Sequence, residues 1–253
     1  VWTVISVVLL LVFLLFLVYP MFGLLKQAVV TPEGEFSLAE FKEFFSKSYY
    51  TSTIVNSMKV TISVTLVSLL LGIPIAYFYS FYRLHGAKAL FVISILCSMS
   101  APFIGAYSWI MLLGRSGVIT QFLANNLGVD IGSIYGFKGI LIVQSLKFFP
   151  LVFIYMNGAF KNIDNTLMEA SANMGCTGVR RLFKVVLALS MPTILAAALM
   201  VFMQAFADFG TPMLMGEGFQ TFPVLIYNEY MGEGGQNFNF APALACIAIA
   251  VTA

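Results

Sequence analysis

The chain has 253 residues, of which 60% are hydrophobic and 9% are charged, and its formal net charge at pH 7 is +2. So few charged side chains cannot cover the surface of a water-soluble protein, and the composition therefore excludes a soluble enzyme. The net charge is also too small and too scattered along the chain to indicate a nucleic-acid partner.

Apolar runs alternate with polar loops along the whole chain and predict an all-α, polytopic membrane protein with a single transmembrane domain. The runs that we interpret as spans are residues 2–25, 53–82, 89–113, 137–158, 191–209 and 240–253. The last run has 14 residues, fewer than the roughly 20 that cross a bilayer as a helix. Because the sequence also begins with Val rather than Met, we expect it to be a piece of a longer chain.

Prolines predict a kink in the second span and another in the third. Pro74 follows Gly72 and Ile73, and Pro102 lies near the middle of its apolar run. Proline removes a backbone donor, which membrane helices tolerate when neighbouring helices satisfy the freed carbonyl group.

The distribution of basic residues indicates which loops face the cytoplasm. The turn at 83–88 and the loop at 159–190 contain basic residues, whereas the loop at 210–238 has acids and no Lys or Arg. The basic residues are Arg83, Lys88, Lys161, Arg180, Arg181 and Lys184. The positive-inside preference therefore places 159–190 and the N-terminus in the cytoplasm, and it places the loops 26–51, 114–136 and 210–238 in the periplasm.

Short structured segments are predicted within the outer loops. Ser37-x-x-Glu40 is a capping box and predicts a surface helix from Ser37 to Phe45. The 114–136 loop contains a short apolar segment that we place at the membrane interface, and residues 222–230 are apolar enough to dip into the membrane.

The loop at 159–190 is the one long polar interruption between apolar runs. Its first half places Ile163, Leu167, Ala170 and Met174 at helical spacing, which predicts a short amphipathic helix. Such a helix can lie in a groove of a partner protein. An alternative is that Glu169 only caps its own helix, because Thr166-x-x-Glu169 also has the capping-box pattern.

The same loop contains a spaced motif. Glu169-Ala170-Ser171 is followed by three residues and Gly175, and then by nine residues before Val185-Val186-Leu187. This motif resembles the EAA loop of ABC importer permeases. The resemblance implies that the segment docks on a separate ATPase subunit through Leu167, Glu169, Ala170, Ser171, Met174 and Gly175. Two departures are Ser171, where the family has a second Ala, and Ala188, where the family pattern ends in Pro; Pro192 follows four residues later.

Three further stretches resemble the ferric-iron branch of these permeases: APFIGAYSW at 101–109, LGRSG at 113–117 and FADFGTP at 206–212. The resemblance covers about residues 50–253 and implies a six-helix MetI-like bundle in the bacterial inner membrane. The implied substrate is ferric iron, and permeases for phosphonate, polyamine, thiamine or sulfate are the alternatives.

The implied partners are ATPase subunits, a periplasmic substrate-binding protein, the lipid bilayer and a second permease unit, either identical or fused. Alternating access would follow when ATP closes the ATPase subunits and moves the attached spans. The chain has no G-x-x-x-x-G-K-[ST] loop to cradle phosphates, so we expect ATP to be bound and hydrolysed by the partner and no cofactor to be bound here. The chain is accordingly predicted to be a translocation subunit and not an enzyme.

Polar side chains within the predicted spans are candidates for a translocation pathway, because burying them in a membrane is costly. They are Asn56, Lys59, Gln144, Lys147, Asn157, Gln204 and Asp208. Lys147 lies about 15 Å into the fourth span at 1.5 Å per residue, close to mid-membrane. An alternative is that Lys147 pairs with Asp208 and only ties two helices together. Two buried lysines would repel a bare ferric cation and would suit an anion better.

Other functional classes have less support in the sequence. A secondary transporter acting alone would use the intramembrane lysines as coupling groups. A membrane-embedded enzyme would need a nucleophile motif or paired carboxylates that we do not find. His85 is the only histidine, which excludes a metal site built from histidines, and the sequence assigns no metal ligand.

Overall fold

A computed structural model describes residues 2–30, 35–82, 85–99, 101–127, 134–231 and 240–252. In chain order the helices are α1 (Trp2–Phe13), α2 (Tyr19–Val29), α3 (Ala39–Ser46), α4 (Ser48–Phe81), α5 (Ala87–Ser98), α6 (Pro102–Leu113), α7 (Val118–Leu127), α8 (Phe137–Lys161), α9 (Asn165–Asn173), α10 (Gly178–Arg181), α11 (Leu187–Leu189), α12 (Met191–Ala207), α13 (Gly210–Met215), α14 (Phe222–Met231) and α15 (Phe240–Thr252). Single π-helical turns, Leu14–Val18 and Leu182–Val186, join α1 to α2 and α10 to α11. The described chain is thus almost entirely helical, which confirms the all-α prediction.

Four helical stretches in the described chain are long and apolar enough to cross a membrane: Trp2–Val29, Ser48–Phe81, Phe103–Asn126 and Phe137–Lys161. A fifth is counted if the bent pair Gly178–Leu189 and Met191–Ala207 forms one span. α4 continues through Pro74 and α8 continues through Pro150. α15, with 13 residues, falls short of the roughly 20 that a span needs.

The third predicted span, 89–113, is not one helix. α5 ends at Ser98 and α6 begins at Pro102. Proline lacks the N–H that would continue the preceding helix, but its fixed backbone angle suits the first turn of a new one. The expected kink is therefore a break, and the long apolar stretch runs instead through α6 and α7, into the region expected to be a loop.

One compact unit comprises Val1–Asn56 and Thr221–Ala253. In it α15 packs along α2 and also contacts α3 and α14. The ring of Phe44 lies 5.9 Å from that of Phe222, and the ring of Tyr50 lies 5.0 Å from that of Phe240. α3 begins two residues later than expected, and Ser37 Oγ accepts a hydrogen bond from the Ala39 N–H at 3.2 Å.

The second compact unit comprises Ser57–Gln220 and is organised around α8. α8 packs against α5, α6, α12 and α13. α4 also approaches it closely, since a Cβ added to Gly72 would lie 2.7 Å from the Cβ of Val152. Small residues permit such close contact between membrane helices. The core around α8 includes Phe153 and Met156, both fully buried.

Two predicted loops are partly helical. Residues 114–136 contain α7, and residues 210–238 contain α13 and α14. Residues 128–133 and 232–238 of these loops, and Arg83 of the basic turn, lie outside the described residues.

The loop at 159–190 contains α9 and a second helical segment, Gly178–Leu189, made of α10, the π turn and α11. We call this second segment the elbow helix, because its axis is bent by 75° from that of α12. Pro192 lies in the first turn of α12, where the sequence placed a helix start.

Candidate functional site

The first candidate site is α9, which carries the motif Glu169-Ala170-Ser171. Asp164 caps its N-terminus, and the Asp164 carboxylate accepts a hydrogen bond of 2.9 Å from the Thr166 N–H. This backbone hydrogen bond, together with one from the Thr166 side chain, lowers the pKa of Asp164. The sequence offered a capping box of Thr166 and Glu169 as an alternative role for Glu169. The structure has Asp164 as the cap instead, and Glu169 is exposed.

The C-terminal end of α9 depends on a glycine. Gly175 has φ +74°, and its N–H donates to the Ala172 carbonyl oxygen at 2.9 Å. The Cys176 N–H donates to the carbonyl oxygen of Ser171, also at 2.9 Å. A left-handed residue just after a helix satisfies its last carbonyl groups, and glycine adopts that conformation without a steric penalty. The glycine of the motif thus ends α9 and turns the chain sharply away.

The two faces of α9 differ in burial. Met168 and Ser171 are buried, with 8% and 2% of their surface exposed. The Ser171 hydroxyl donates to the Met168 carbonyl oxygen at 2.7 Å, so serine is accommodated where the family has alanine. Leu167 and Met174 are 48% and 81% exposed, and Ala170 between them is also exposed. Of the four residues expected to form the apolar stripe, Ile163 precedes α9 and is half-buried against the core. The other three are uncovered in the described part of the chain, and we call Leu167, Ala170 and Met174 the α9 stripe.

The second candidate site is a polar cluster formed by Gln144, Lys147, Asp208 and Thr211. Lys147 Nζ lies 3.0 Å from Asp208 Oδ1. Asp208 Oδ2 accepts hydrogen bonds from Gln144 Nε2 at 2.9 Å and from Thr211 Oγ1 at 2.7 Å. Both carboxylate oxygens therefore have donors, and the charge is balanced by the lysine.

The helices explain why these groups meet. Gln144 and Lys147 are three residues apart on α8 and so share one face. Asp208 directly follows α12, and Thr211 belongs to the first turn of α13. Gln144, Asp208 and Thr211 are buried, whereas 21% of the Lys147 side chain remains exposed. A buried carboxylate is tolerated only when it is paired and hydrogen-bonded, as Asp208 is.

A cavity of about 150 Å³ lies beside the cluster. Lys147 and Thr211 contribute its polar lining, and Cys97, Ala101, Ala106 and Trp109 contribute apolar surface. Cys97 and Ala101 flank the break between α5 and α6, so the cavity adjoins the point at which the third predicted span is interrupted. Broken membrane helices are typical of sites where irregular backbone lines a cavity.

The other predicted pathway residues do not join the cluster. Lys59 and Gln204 are exposed. The expectation of two buried lysines is therefore wrong for Lys59, whereas Lys147 is half-buried. Asn157 is buried and accepts a hydrogen bond of 3.2 Å from the Ser80 hydroxyl, which connects α8 to α4. Asn56 is half-buried on α4 in the other compact unit.

Thr211 was not singled out by the sequence analysis, because it fell in a predicted loop. It lies with Asp208 in the stretch FADFGTP at 206–212, and this shared stretch is the signal that could have located it. In the part of the chain that the structure describes, no group of three or more His, Cys, Asp or Glu side chains could hold a metal ion.

Comparison with known proteins extends along the whole chain. The family described as "Binding-protein-dependent transport system inner membrane component" matches residues 1–253. The putative ferric transport system permease protein FbpB 1 of Haemophilus influenzae is 29% identical over 219 residues, which are 86% of this chain and 34% of that protein. The ferric transport system permease protein FbpB of Actinobacillus pleuropneumoniae is 30% identical over 229 residues, which are 90% of this chain and 33% of that protein. The chain spans about a third of the length of these two relatives.

Among solved structures, a bacterial ABC transporter involved in the import of the acidic polysaccharide alginate contains a chain with a TM-score of 0.77. The sequences are 21% identical, and the match covers 99% of this chain and 91% of that one. The likeness concerns the fold.

Proposed function

Because this chain belongs to the family of binding-protein-dependent transport system inner membrane components, we propose that it is a translocation subunit of an ATP-driven ABC importer. The family match confirms the resemblance found in the EAA-like loop. In this proposal a periplasmic binding protein delivers substrate, a second permease unit completes the passage, and a separate ATPase drives alternating access. The second unit is either a further copy or a fused half.

The α9 stripe carries the proposal. Leu167, Ala170 and Met174 are exposed on a helix that Met168 and Ser171 hold against the rest of its unit. An exposed apolar stripe on an otherwise anchored short helix suits insertion into a groove of a partner. Glu169 adjoins the stripe and is exposed, so it is free to contact a basic or amide group of the ATPase.

The test is the charge reversal Glu169→Lys in the assembled transporter. We expect the ATPase subunit to stop copurifying and ATP-driven uptake to fall together. Asn126→Lys, which adds a positive charge at an exposed position of α7, is the control and should change neither. Intact assembly and uptake in Glu169→Lys would contradict the docking role.

The orientation of the chain is part of the proposal, with α9 and the N-terminus in the cytoplasm. Cys176 follows α9 and is half-buried, so it can report the side of the membrane in a variant that carries Cys97→Ser and Cys246→Ser. A membrane-impermeant maleimide should label it in inverted vesicles and not in intact cells. Labelling of Cys176 from outside intact cells would place α9 on the wrong side.

Ferric iron is the substrate that we propose, in agreement with the names of the two relatives. The ion pair between Lys147 and Asp208 supports this choice, because a balanced cluster does not repel a cation as an unpaired buried lysine would. Elemental and mass analysis of the ligand that the associated binding protein retains on purification tests it. If the binding protein retains a phosphonate, a polyamine, thiamine or sulfate instead, that compound and not ferric iron is the substrate.

The polar cluster and its cavity are proposed to form part of the passage, with the simple helix tie as the alternative. The paired substitution Lys147→Met with Asp208→Leu separates the two, since it removes both charges together and leaves no unpaired charge, although the donors of Gln144 and Thr211 lose the carboxylate that accepted from them. Loss of uptake in a stably folded double variant supports the passage. Normal uptake identifies the cluster as a tie between α8 and α12.

A further inference from the structure

The elbow helix, Gly178–Leu189, exposes basic and apolar side chains together. Arg180 and Lys184 are exposed and Arg181 is half-buried. Val179 and Phe183, each directly followed by a basic residue, are 70% and 65% exposed. Neither an ordinary solvated surface nor the core of the chain explains this combination.

The orientation of the elbow helix suits the surface of a bilayer. α12 is an apolar helix of 17 residues, and the elbow helix meets it at 75° just before its first residue, Met191. If α12 crosses the membrane, the elbow helix lies almost parallel to the membrane plane, at the depth where the crossing begins. Helices with basic and apolar side chains bind membranes in this position.

The basic groups of the elbow helix lack an acidic partner among the residues that the structure describes. Across the described ranges, none of Arg180, Arg181 and Lys184 forms an ion pair. The Nε of Arg181 is buried and has no hydrogen-bond acceptor among the same residues. A guanidinium group offers a planar set of donors that matches the oxygens of a phosphate, and lysine adds a point charge nearby.

We propose that the elbow helix is a binding site for anionic phospholipid. Arg180, Arg181 and Lys184 bind the headgroup phosphate and its negative charge, while Val179 and Phe183 pack against the upper part of the acyl chains. The ATPase is the less suitable occupant, because the stripe that fits a protein groove lies on α9, beyond the turn at Gly175. The proposal requires α12 to cross the bilayer and does not depend on the transported substrate.

The experiment measures lipid selectivity of the assembled transporter in vesicles of phosphatidylcholine mixed with phosphatidylglycerol. Spin-labelled forms of each lipid report by electron paramagnetic resonance how strongly each associates with the protein. One basic residue near an anionic membrane surface contributes a preference of about fivefold. The triple variant Arg180→Gln, Arg181→Gln, Lys184→Gln should therefore lose at least about fivefold of the preference for phosphatidylglycerol.

The control removes the same number of charges elsewhere. Lys42→Gln, Lys88→Gln and Lys138→Gln alter exposed lysines on α3, α5 and α8, and this variant should keep most of the preference. Raising the salt concentration should weaken the preference of the unaltered protein for phosphatidylglycerol. It should have little effect on the triple variant of Arg180, Arg181 and Lys184, which we call the elbow variant.

Two results would overturn the proposal. One is an unchanged preference for phosphatidylglycerol in the elbow variant. The other is equal loss in the elbow and control variants, which would mean that only overall charge matters. If selectivity is unchanged but the ATPase subunit no longer copurifies, the basic residues serve protein contact instead.

Discussion

The polar cluster and α9 depart from the usual burial pattern in opposite directions. In the cluster, the charged Asp208 and the amide of Gln144 lie inside the protein. On α9, the apolar Leu167 and Met174 lie outside. The buried carboxylate accepts hydrogen bonds from donors of the same chain, whereas the α9 stripe is left exposed by the residues that the structure describes. The carboxylate of the first site is satisfied within the chain, although the Oε1 of Gln144 is buried without a hydrogen-bond donor among the described residues. We propose that the second site is covered by another molecule.

The largest effect should follow from removing the carboxylate of the cluster. Asp208→Ala leaves the ammonium group of Lys147 without its ion pair, and it leaves two buried donors, on Gln144 and Thr211, without an acceptor. Breaking a buried pair in this way costs about 3–5 kcal/mol. We expect a lowered midpoint of thermal unfolding for the purified transporter, measured by intrinsic fluorescence.

The exposed Gln204, one helical turn before Asp208, provides the control for this prediction. Gln204→Ala should change the free energy of unfolding by no more than about 0.5 kcal/mol. The double substitution Lys147→Met with Asp208→Leu should recover only the part of the stability that the unpaired Lys147 costs in Asp208→Ala, because the donors of Gln144 and Thr211 still lack their acceptor. Equal stability of the unaltered protein and Asp208→Ala would show that the Asp208 carboxylate does not form the ion pair and hydrogen bonds described for it.

Two neighbouring residues on α9 should separate anchoring from docking. Met168→Ala removes a buried side chain and should lower stability by about 2–5 kcal/mol. Leu167→Ala removes an exposed one and should leave stability almost unchanged, while it weakens binding of the ATPase subunit by about tenfold, or about 1.4 kcal/mol. Thermal unfolding and binding to the purified ATPase subunit measure the two effects.

Two outcomes would contradict the assignment of Met168 to anchoring and Leu167 to docking. If Leu167→Ala destabilises the chain more than Met168→Ala does, the exposed stripe is part of the core of its unit. If neither substitution changes ATPase binding, the stripe is covered by something else.

The smallest effect concerns the cap of α9. Asp164→Ala removes the acceptor of the Thr166 N–H and should increase hydrogen exchange of the amides in the first turn of α9. Asp164→Asn should preserve protection, since asparagine is an equally good cap. Because the folded pKa of Asp164 is lowered, its contribution is present at neutral pH and is lost as pH falls from the ordinary carboxyl range through that lowered value. Exchange in α9 that does not depend on the residue at 164 would exclude this cap.

The sequence was informative where hydrophobic periodicity dominates. The apolar runs located α4, α8 and α12. The spacing of Ile163, Leu167, Ala170 and Met174 located α9, but Ile163 lies before the helix and is half-buried. The position of Asp208 at the end of α12 also followed from the sequence. These features depend on residues within one element, which a single sequence records.

Features that depend on contacts between elements were harder to predict. Pro102 suggested a bend, but whether a helix bends or breaks there depends on how neighbouring helices satisfy the freed carbonyl groups. Asp164 and Thr166 both offered a cap for α9, and the path of the preceding chain decides between them. Thr211 joined the cluster only because α13 follows α12 closely enough to return its hydroxyl to Asp208.

Ser190 takes part in the hydrogen bonding of both helices at the bend between the elbow helix and α12. The Ser190 N–H donates to the Val186 carbonyl oxygen at 3.1 Å, and the Ile194 N–H donates to that of Ser190 at 2.9 Å. At 1.5 Å per residue, the elbow helix is about 18 Å long and α12 is about 26 Å long. If the two helices rotate together about the bend, we expect the far end of α12 to move about 1.4 times as far as the far end of the elbow helix, in proportion to their lengths.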